Sequence, residues 1–556
     1  APFEIEWLMH ELGTEIIDHH GWGDTMMQAH ILDERKGEGR GDDRRPTYQS
    51  LDFLCNMHFG LKIKSLFKLD RKDMRKTNIN DLLIYNGCDS KYTLALHDTQ
   101  NKLLKHEGLT EVYELSRPRQ TTVAVMQRLG IDVDQEVAKE LAANLKKEID
   151  GIEAGIQEMK VVKRFTKDKK ETFNPHSQQQ VLEVFKDYLG ANVKIPKKHS
   201  KTEFRLAVDK AVLGGIDHPL APAIIRLRNR AKLKSTYIDE FILPTGTIIY
   251  PDGKLHTSFN TTFTTSARLS SDEPNLQNFP KHQDKWVRKQ IKPKKGYILI
   301  SVDYSQLEWC TACIECKDNI MVDATWTGYD VHMVWAEKIA DRWPELIGGK
   351  QNRKDPAIMK TARSRVKNKA VFPLIFGAQD SSVAGYLNMP DDVAKDIFTE
   401  FWETFYGLGD WQKQLMRNYY DTGHVENKLG RRRRYPMTKN EAINYPIQSL
   451  GAEIVIDAMD RLSQLAVETG EWYLHPHLNI HDDLTFVVPD DEAIIDESIK
   501  IFVEEMLLLP YDFINVPMGC EISIGYNWAD MEEVGKFNTL DIGRHTTKDR
   551  KKYTGE

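Results

Sequence analysis

The sequence predicts an α+β protein with more than one core. Three stretches carry that expectation. Residues 297–302 form an apolar run rich in β-branched side chains behind Gly296, the pattern of a buried strand. Residues 478–488 form a second such run, interrupted by Asp482 and Asp483 as at the tip of a tight hairpin. Residues 112–129, 135–159 and 224–242 place apolar side chains at helical spacing.

Asp303 stands where the first strand is expected to end. An aspartate in such a place is most often a turn residue or a helix cap. Carboxylates held at strand ends on one rigid sheet also suit two-metal phosphoryl transfer, in which ions about 3.5–4 Å apart clamp the attacking and leaving oxygens. Hard oxygen ligands fit Mg²⁺.

The 556 residues, 40% hydrophobic and 29% charged, are enough for several cores. No run approaches the roughly 18 apolar residues of a membrane span, and no signal peptide opens the chain. Six cysteines argue against a disulfide framework and for a reducing cytoplasm, the host's if the source is viral. A net charge of −7 does not advertise nucleic-acid binding, and each basic run (160–170, 194–201, 285–295, 428–434) alone suits a solvated face. Together they suit a cleft for a duplex.

Asp303-Tyr-Ser-Gln-Leu-Glu308 and His481-Asp-Asp483 resemble motifs A and C of family A (Pol I-like) DNA polymerases, a group that includes many phage replicases. The resemblance implies an α+β right-hand polymerase: thumb at 111–250, palm at 251–322 and 426–540, fingers at 323–425. A truncated α/β, RNase H-like 3′–5′ exonuclease domain would fill 1–110, and 541–556 would form a flexible basic tail. It implies template-directed addition of dNTPs to a primer 3′-OH on primer–template DNA. Asp303, Asp482 and the backbone carbonyl of Tyr304 would hold two Mg²⁺, with Mn²⁺ as a substitute. Asp483 replaces the usual Glu, one carbon shorter, and would reach a metal through water. Gln306 and Glu308 would open the next helix, with Glu308 as the steric gate against a ribose 2′-OH. An RNA-copying variant stays open, because nothing in the sequence reads the template sugar.

Within the first block, residues 3–33 resemble the middle of the exonuclease domain, with Glu4 in the remnant. Tyr85-x3-Asp89, on a helix from about Asp81, resembles its last motif. The Asp-x-Glu pair that opens such a domain has no place in this sequence, so the chain by itself is expected not to degrade a mismatched primer. Residues 126–134 resemble the entry to a thumb and 173–182 its tip; no insertion resembling a thioredoxin-type processivity loop is recognised.

The segment 256–278 is polar and turn-rich, and resembles the family's track along the minor groove. There Arg268 would meet phosphate, and Asn275, Gln277 and Asn278 would meet sugars or acceptors that every base pair shares. Ala267 stands where the family usually has Gly. Cys310, Cys313 and Cys316 follow at i, i+3, i+6. A metal cluster lacks a fourth ligand there, and small core residues are the expected reading.

In the fingers, His332 would approach the triphosphate. Residues 357–377 read as a basic amphipathic helix resembling motif B, with Phe372 and Phe376 to stack on the new base pair. Phe376 replaces the usual Tyr. Two pairs of cations compete for the triphosphate: Arg363 with Lys367, and Arg365 with Lys369. On a straight helix of about 100° per residue, Lys369 falls near Phe372. Pro373, however, clashes with the carbonyl of Lys369. A π-bulge would relieve that clash and turn Arg363 and Lys367 inward, the expected outcome. Downstream, 430–434 resembles the family's basic DNA loop, with Arg431 as a contact; Gln448, beside a helix at 452–462, is expected in the minor groove, and His481 is a further expected DNA contact. Two other classes stay open, a nuclease built on the acidic residues near Asp89 and a silent DNA-binding subunit.

Overall fold

The computed structural model describes residues 2–14, 17–35, 49–63, 74–191, 208–281 and 283–543. The basic run at 194–201 and the tail from 544 onward lie outside the described residues.

Five antiparallel strands form the central sheet: β1 (Tyr297–Ser305), β2 (Leu478–Ile480), β3 (Asp483–Pro489), β4 (Gly519–Gly525) and β5 (Glu532–Asn538). Their spatial order is β5-β4-β1-β3-β2, so the first apolar run of the sequence becomes the middle strand. Ile298, Ile300 and Val302 are buried in one core with Phe486 and Ile522, and Leu299 is buried in another with Leu478 and Trp528. Cover on both faces is why Ile298, Leu299 and Ile300 run apolar without alternation.

The strand does not end before Asp303. Its ladders continue on both sides, pairing Asp303 with Asp483 of β3 and with Glu521 of β4. Asp303 therefore lies inside the sheet, held by two neighbours, and not in a turn.

Six helices matter for the site: α1 (Pro118–Leu129), α2 (Leu307–Cys316), α3 (Val331–Arg342), α4 (Pro356–Val366), α5 (Lys439–Thr469) and α6 (Glu492–Leu507). The helix expected at 112–129 is two, Thr110–Ser116 and α1. Pro118 has no N–H to continue the first helix and suits the opening position of the second. The helices expected at 135–159 and 224–242 are Gln135–Gln157 and Leu220–Tyr237. The helix expected at 452–462 starts at Lys439, where Thr438 and Glu441 form a capping box. On α6, Phe502 stacks against Phe486 of β3 with 3.8 Å between ring centroids, closing the sheet from below.

Among the described residues of 1–110 there are helices (Pro2–Leu12, Thr25–Leu32, Leu51–Phe59, Ile79–Glu107) and no strand. The sheet that an α/β domain needs is thus missing from that described portion, where Asp24, Ser50 and Asn78 cap helices. On α2, Cys310 and Cys313 are buried and Cys316 half-buried, and burial pushes all three thiols up. No helix among the described residues is long and apolar enough to cross a membrane.

Candidate active site

The expected carboxylates come together at one end of β1. β2 and β3 are joined by the two-residue tip His481-Asp482, since Ile480 pairs with Asp483. His481 adopts φ +64°, the left-handed geometry that a tight hairpin demands. The tip folds back onto β1, where the Tyr304 N–H donates to the Asp482 carbonyl at 3.2 Å. Asp303 and Asp482 then line one cleft of about 730 Å³ with Gln306, Glu308, Arg363, Lys367, Phe372, Phe376 and Glu521.

Burial first, then the neighbouring Asp483 and Asp482, push the carboxyl of Asp303 well above its ordinary range. Its Oδ1 is buried with no hydrogen-bond partner. Buried polar atoms of that kind call for a partner the chain itself does not supply. Asp483 is different. Ser301 Oγ donates to one of its oxygens and Thr485 Oγ1 to the other, at 2.8 Å in the second case. Both of its oxygens are engaged by these hydroxyls within the sheet. Among the described residues no three His, Cys, Asp or Glu side chains form a ready-made metal cluster. Asp303 and Asp482, with the Tyr304 carbonyl, could hold hard cations if water and phosphate filled the remaining positions, the usual habit of Mg²⁺.

The helix of cations is bent as Pro373 requires. Lys367–Val371 is a π-helical turn, and the Phe372 N–H donates to the carbonyl of Lys367, five residues back. After this turn Arg363 and Lys367 face the cleft, with Lys367 Nζ 5.4 Å from the Phe372 ring centroid. Arg365 instead donates to the Leu387 carbonyl at 2.7 Å, and Lys369 lies 5.7 Å from the Tyr386 ring. The extra residue rotates that second pair onto the opposite face, so Lys369 is not brought to the cleft. Phe372 and Phe376 stack at 5.6 Å. Arg363 is held by Asp330, Nε to Oδ2 2.6 Å.

His332 is buried beside Phe372, with ring centroids 5.4 Å apart, and its Nδ1 has no hydrogen-bond partner. Burial, reinforced by Lys367 and Arg363, lowers its pKa to about 4, so the ring is neutral at pH 7. With Gln306 and Arg363 it lines a side cavity of about 410 Å³ that opens off the cleft. Gln306 takes φ +53°, turning the chain abruptly from strand to helix.

On the other side of Asp482, a smaller recess is lined by Arg268, Glu308, Gln448 and His481. Arg268 pairs with Glu308 at 3.1 Å. The preceding Ala267 has φ +61°, which accounts for a position where glycine is the easier residue. Asn275 and Asn278 are exposed, and Asn275 Oδ1 accepts from the Asn278 N–H at 3.2 Å. Gln277 donates to the Leu269 carbonyl at 3.1 Å, tying this segment to its own hairpin. Glu4 is exposed on Pro2–Leu12, which packs on α1. Tyr85 and Asp89 are half-buried on Ile79–Glu107, which packs on Thr25–Leu32 and Leu51–Phe59.

Arg431 corrects the sequence expectation. It is 4% exposed and ion-paired with Glu453, which also takes Arg119 Nη2 at 2.7 Å. A side chain buried in a charge triad cannot reach DNA phosphate. The neighbouring arginines are likewise engaged, Arg432 with Glu426, Arg433 with Glu441 and Arg434 with Glu34. The run 430–434 is therefore a clasp between α5 and the helices in front of it.

Two features escaped the sequence. Glu521 faces the cleft because β4 lies beside β1, a pairing that no local pattern announces. Glu453 sits on α5, and its two arginines come from other segments, Arg119 from far upstream and Arg431 from the stretch just before α5.

A family model described as DNA polymerase family A matches residues 135–530. DNA polymerase I of Rhizobium leguminosarum is 27% identical over 534 residues, 92% of this chain and 49% of that protein. DNA polymerase I of Chloroflexus aurantiacus is 27% identical over 467 residues, 80% of this chain and 46% of that one. The thermostable DNA polymerase I of Thermus aquaticus is 27% identical over 448 residues, 78% and 50% of the two chains. The chain thus spans about half the length of these curated relatives. A solved structure described as the POL domain of Pol1 from M. smegmatis in complex with DNA primer-template and dNTP superposes with a TM-score of 0.69 at 23% identity, covering 91% of this chain and 82% of that one. That likeness is one of fold. The family match runs through both strands that bear the aspartates and through the π-bulged helix that bears Lys367, and the chain belongs to DNA polymerase family A.

Proposed function

We propose that this chain catalyses template-directed DNA synthesis, extending a primer 3′-OH with dNTPs. The observation that carries this is the meeting of Asp303 and Asp482, from distant segments, in one cleft with Arg363 and Lys367. Family A DNA polymerases use divalent metal ions. Two Mg²⁺, replaceable by Mn²⁺, suit the donors present, and Asp303, Asp482 and the Tyr304 carbonyl would hold them. When bound, such ions stabilise charge on the attacking and leaving oxygens.

The chain's own groups do the rest. Arg363 and Lys367 neutralise the triphosphate, Arg363 leaving Asp330 to do so, and neutral His332 offers a hydrogen bond from the side cavity. Phe372 and Phe376 give the incoming base a stacking surface. Glu308 narrows the space beside the sugar. Arg268, Asn275, Asn278, Gln277, Gln448 and His481 border the path of the primer–template, where shared minor-groove acceptors allow pairing geometry to be checked without reading sequence. In this assignment residues 111–250 are the thumb, 323–425 the fingers, and 251–322 with 426–540 the palm. A phage replicative origin is supported only by the wording of the sequence around Phe372.

The test is extension of a labelled primer on a DNA template by the purified chain, with four dNTPs and either metal. Stepwise elongation is expected, and a primer left unextended under both metals contradicts the proposal. Lys367→Ala is expected to lower kcat/KM for dNTP on the order of a hundredfold. Lys369→Ala should change it by no more than about twofold, as surface substitutions do. Equal losses for the two variants would contradict the assignment of the π-bulged face.

A further inference from the structure

We infer that Glu521 is a positioning residue for the metal pair, acting through metal-bound water and taking the place that Asp483 has given up. The inference rests on the polymerase assignment above and adds a residue to it. β4 is the antiparallel neighbour of β1, and Glu521 is the register partner of Asp303. Directly opposed residues of an antiparallel pair point to the same face, with Cβ atoms about 4.5–5.5 Å apart. Glu521 accordingly lines the cleft with Asp303 and Asp482, close enough for its charge to repel that of Asp303.

Asp483 occupies the equivalent register position on the other side of Asp303. Its two oxygens, however, accept from Ser301 and Thr485. Of the two carboxylates that flank Asp303 across the ladders, Glu521 alone has its side chain 41% exposed to the cleft and its surroundings. Lys536 of β5 donates to its Oε1 at 2.8 Å, which fixes the side chain and leaves Oε2 for a water ligand of a cation. Among the described residues no three such side chains gather into a direct chelate. A water-mediated contact asks less of the geometry, and carboxylates that orient a metal-bound water change metal affinity by about 10–100-fold when lost.

The experiment titrates Mn²⁺ into the chain bound to a dideoxy-terminated primer–template and the matching dNTP, reading free Mn²⁺ by electron paramagnetic resonance. No bond is made, so binding is seen apart from turnover. Glu521→Gln is expected to weaken the weaker of two Mn²⁺ by about tenfold. Lys536→Met removes the ion pair but keeps the carboxylate, and is expected to leave both Mn²⁺ in place or tighten them. Glu521→Gln binding Mn²⁺ as the unaltered chain does would overturn the inference. So would an equal loss in Lys536→Met, because Glu521 would then serve only as a strand-to-strand ion pair. Asp303→Asn separates the two levels: if it too keeps both ions, the two-metal assignment itself fails, and the inference with it.

Discussion

Asp303→Asn is expected to slow nucleotide addition by at least about a thousandfold while leaving primer–template affinity within about twofold. Metal-borne stabilisation of developing charge is worth several kcal/mol, and about 4 kcal/mol corresponds to a thousandfold in rate. Asparagine keeps the shape and one oxygen, but not the charge that holds a divalent ion. The groups expected along the duplex, Arg268 and Gln448 among them, border a separate recess on the far side of Asp482. Rapid-quench extension and a fluorescence anisotropy titration, run on the same preparation, check the two halves. Extension within tenfold of the unaltered chain would remove Asp303 from the chemistry, and a parallel collapse of DNA binding would mean that the substitution had damaged the sheet.

Glu453→Gln is expected to destabilise the fold by about 3–5 kcal/mol, because it strands two buried guanidiniums. Glu453, Arg119 and Arg431 are each 4% exposed or less. Burial alone would raise the Glu453 carboxyl, but attraction from Arg119 and Arg431 outweighs it and holds the group below its ordinary range. Its contribution is therefore fully present above the unfolded-state value near 4.3 and is lost as pH falls through the depressed folded-state value. The glutamine variant has no such acid-dependent component. Urea denaturation at pH 7 and again at acidic pH tests both points: the gap between the two proteins should be widest at pH 7 and narrow in acid. Because Arg431 is spent inside the triad, the salt dependence of DNA binding should not follow its charge. A variant as stable as the unaltered chain would mean that the buried triad contributes nothing net.

Much of the site was legible because its signals are local. A strand-forming run ending in Asp-Tyr-Ser-Gln needs no partner to be read, and neither does a tight hairpin, although its tip is His481-Asp482 and Asp483 already belongs to β3. Pro373 even announced the π-turn, since a proline in that position conflicts with the carbonyl four residues back. Arg431 failed for the opposite reason. Four successive arginines look like a phosphate-binding loop, and only the arrival of Glu453 from α5 and the approach of the front helices turn them inward. For residues 1–110 the described portion shows helices and no strand, and a resemblance of phrases does not by itself supply a sheet.

What the sequence by itself determined is the local backbone that presents the candidate residues: the apolar strand, the tight hairpin, the bulged cationic helix. These follow from steric and hydrogen-bonding rules acting over a few neighbouring residues. Only the tertiary structure decided which charges face each other, setting Asp303 between Asp483 and Glu521 and closing Arg119 and Arg431 around Glu453. Strand order and helix docking fix those meetings, and the energy of a charge depends on the partners and the water left around it once the chain has packed.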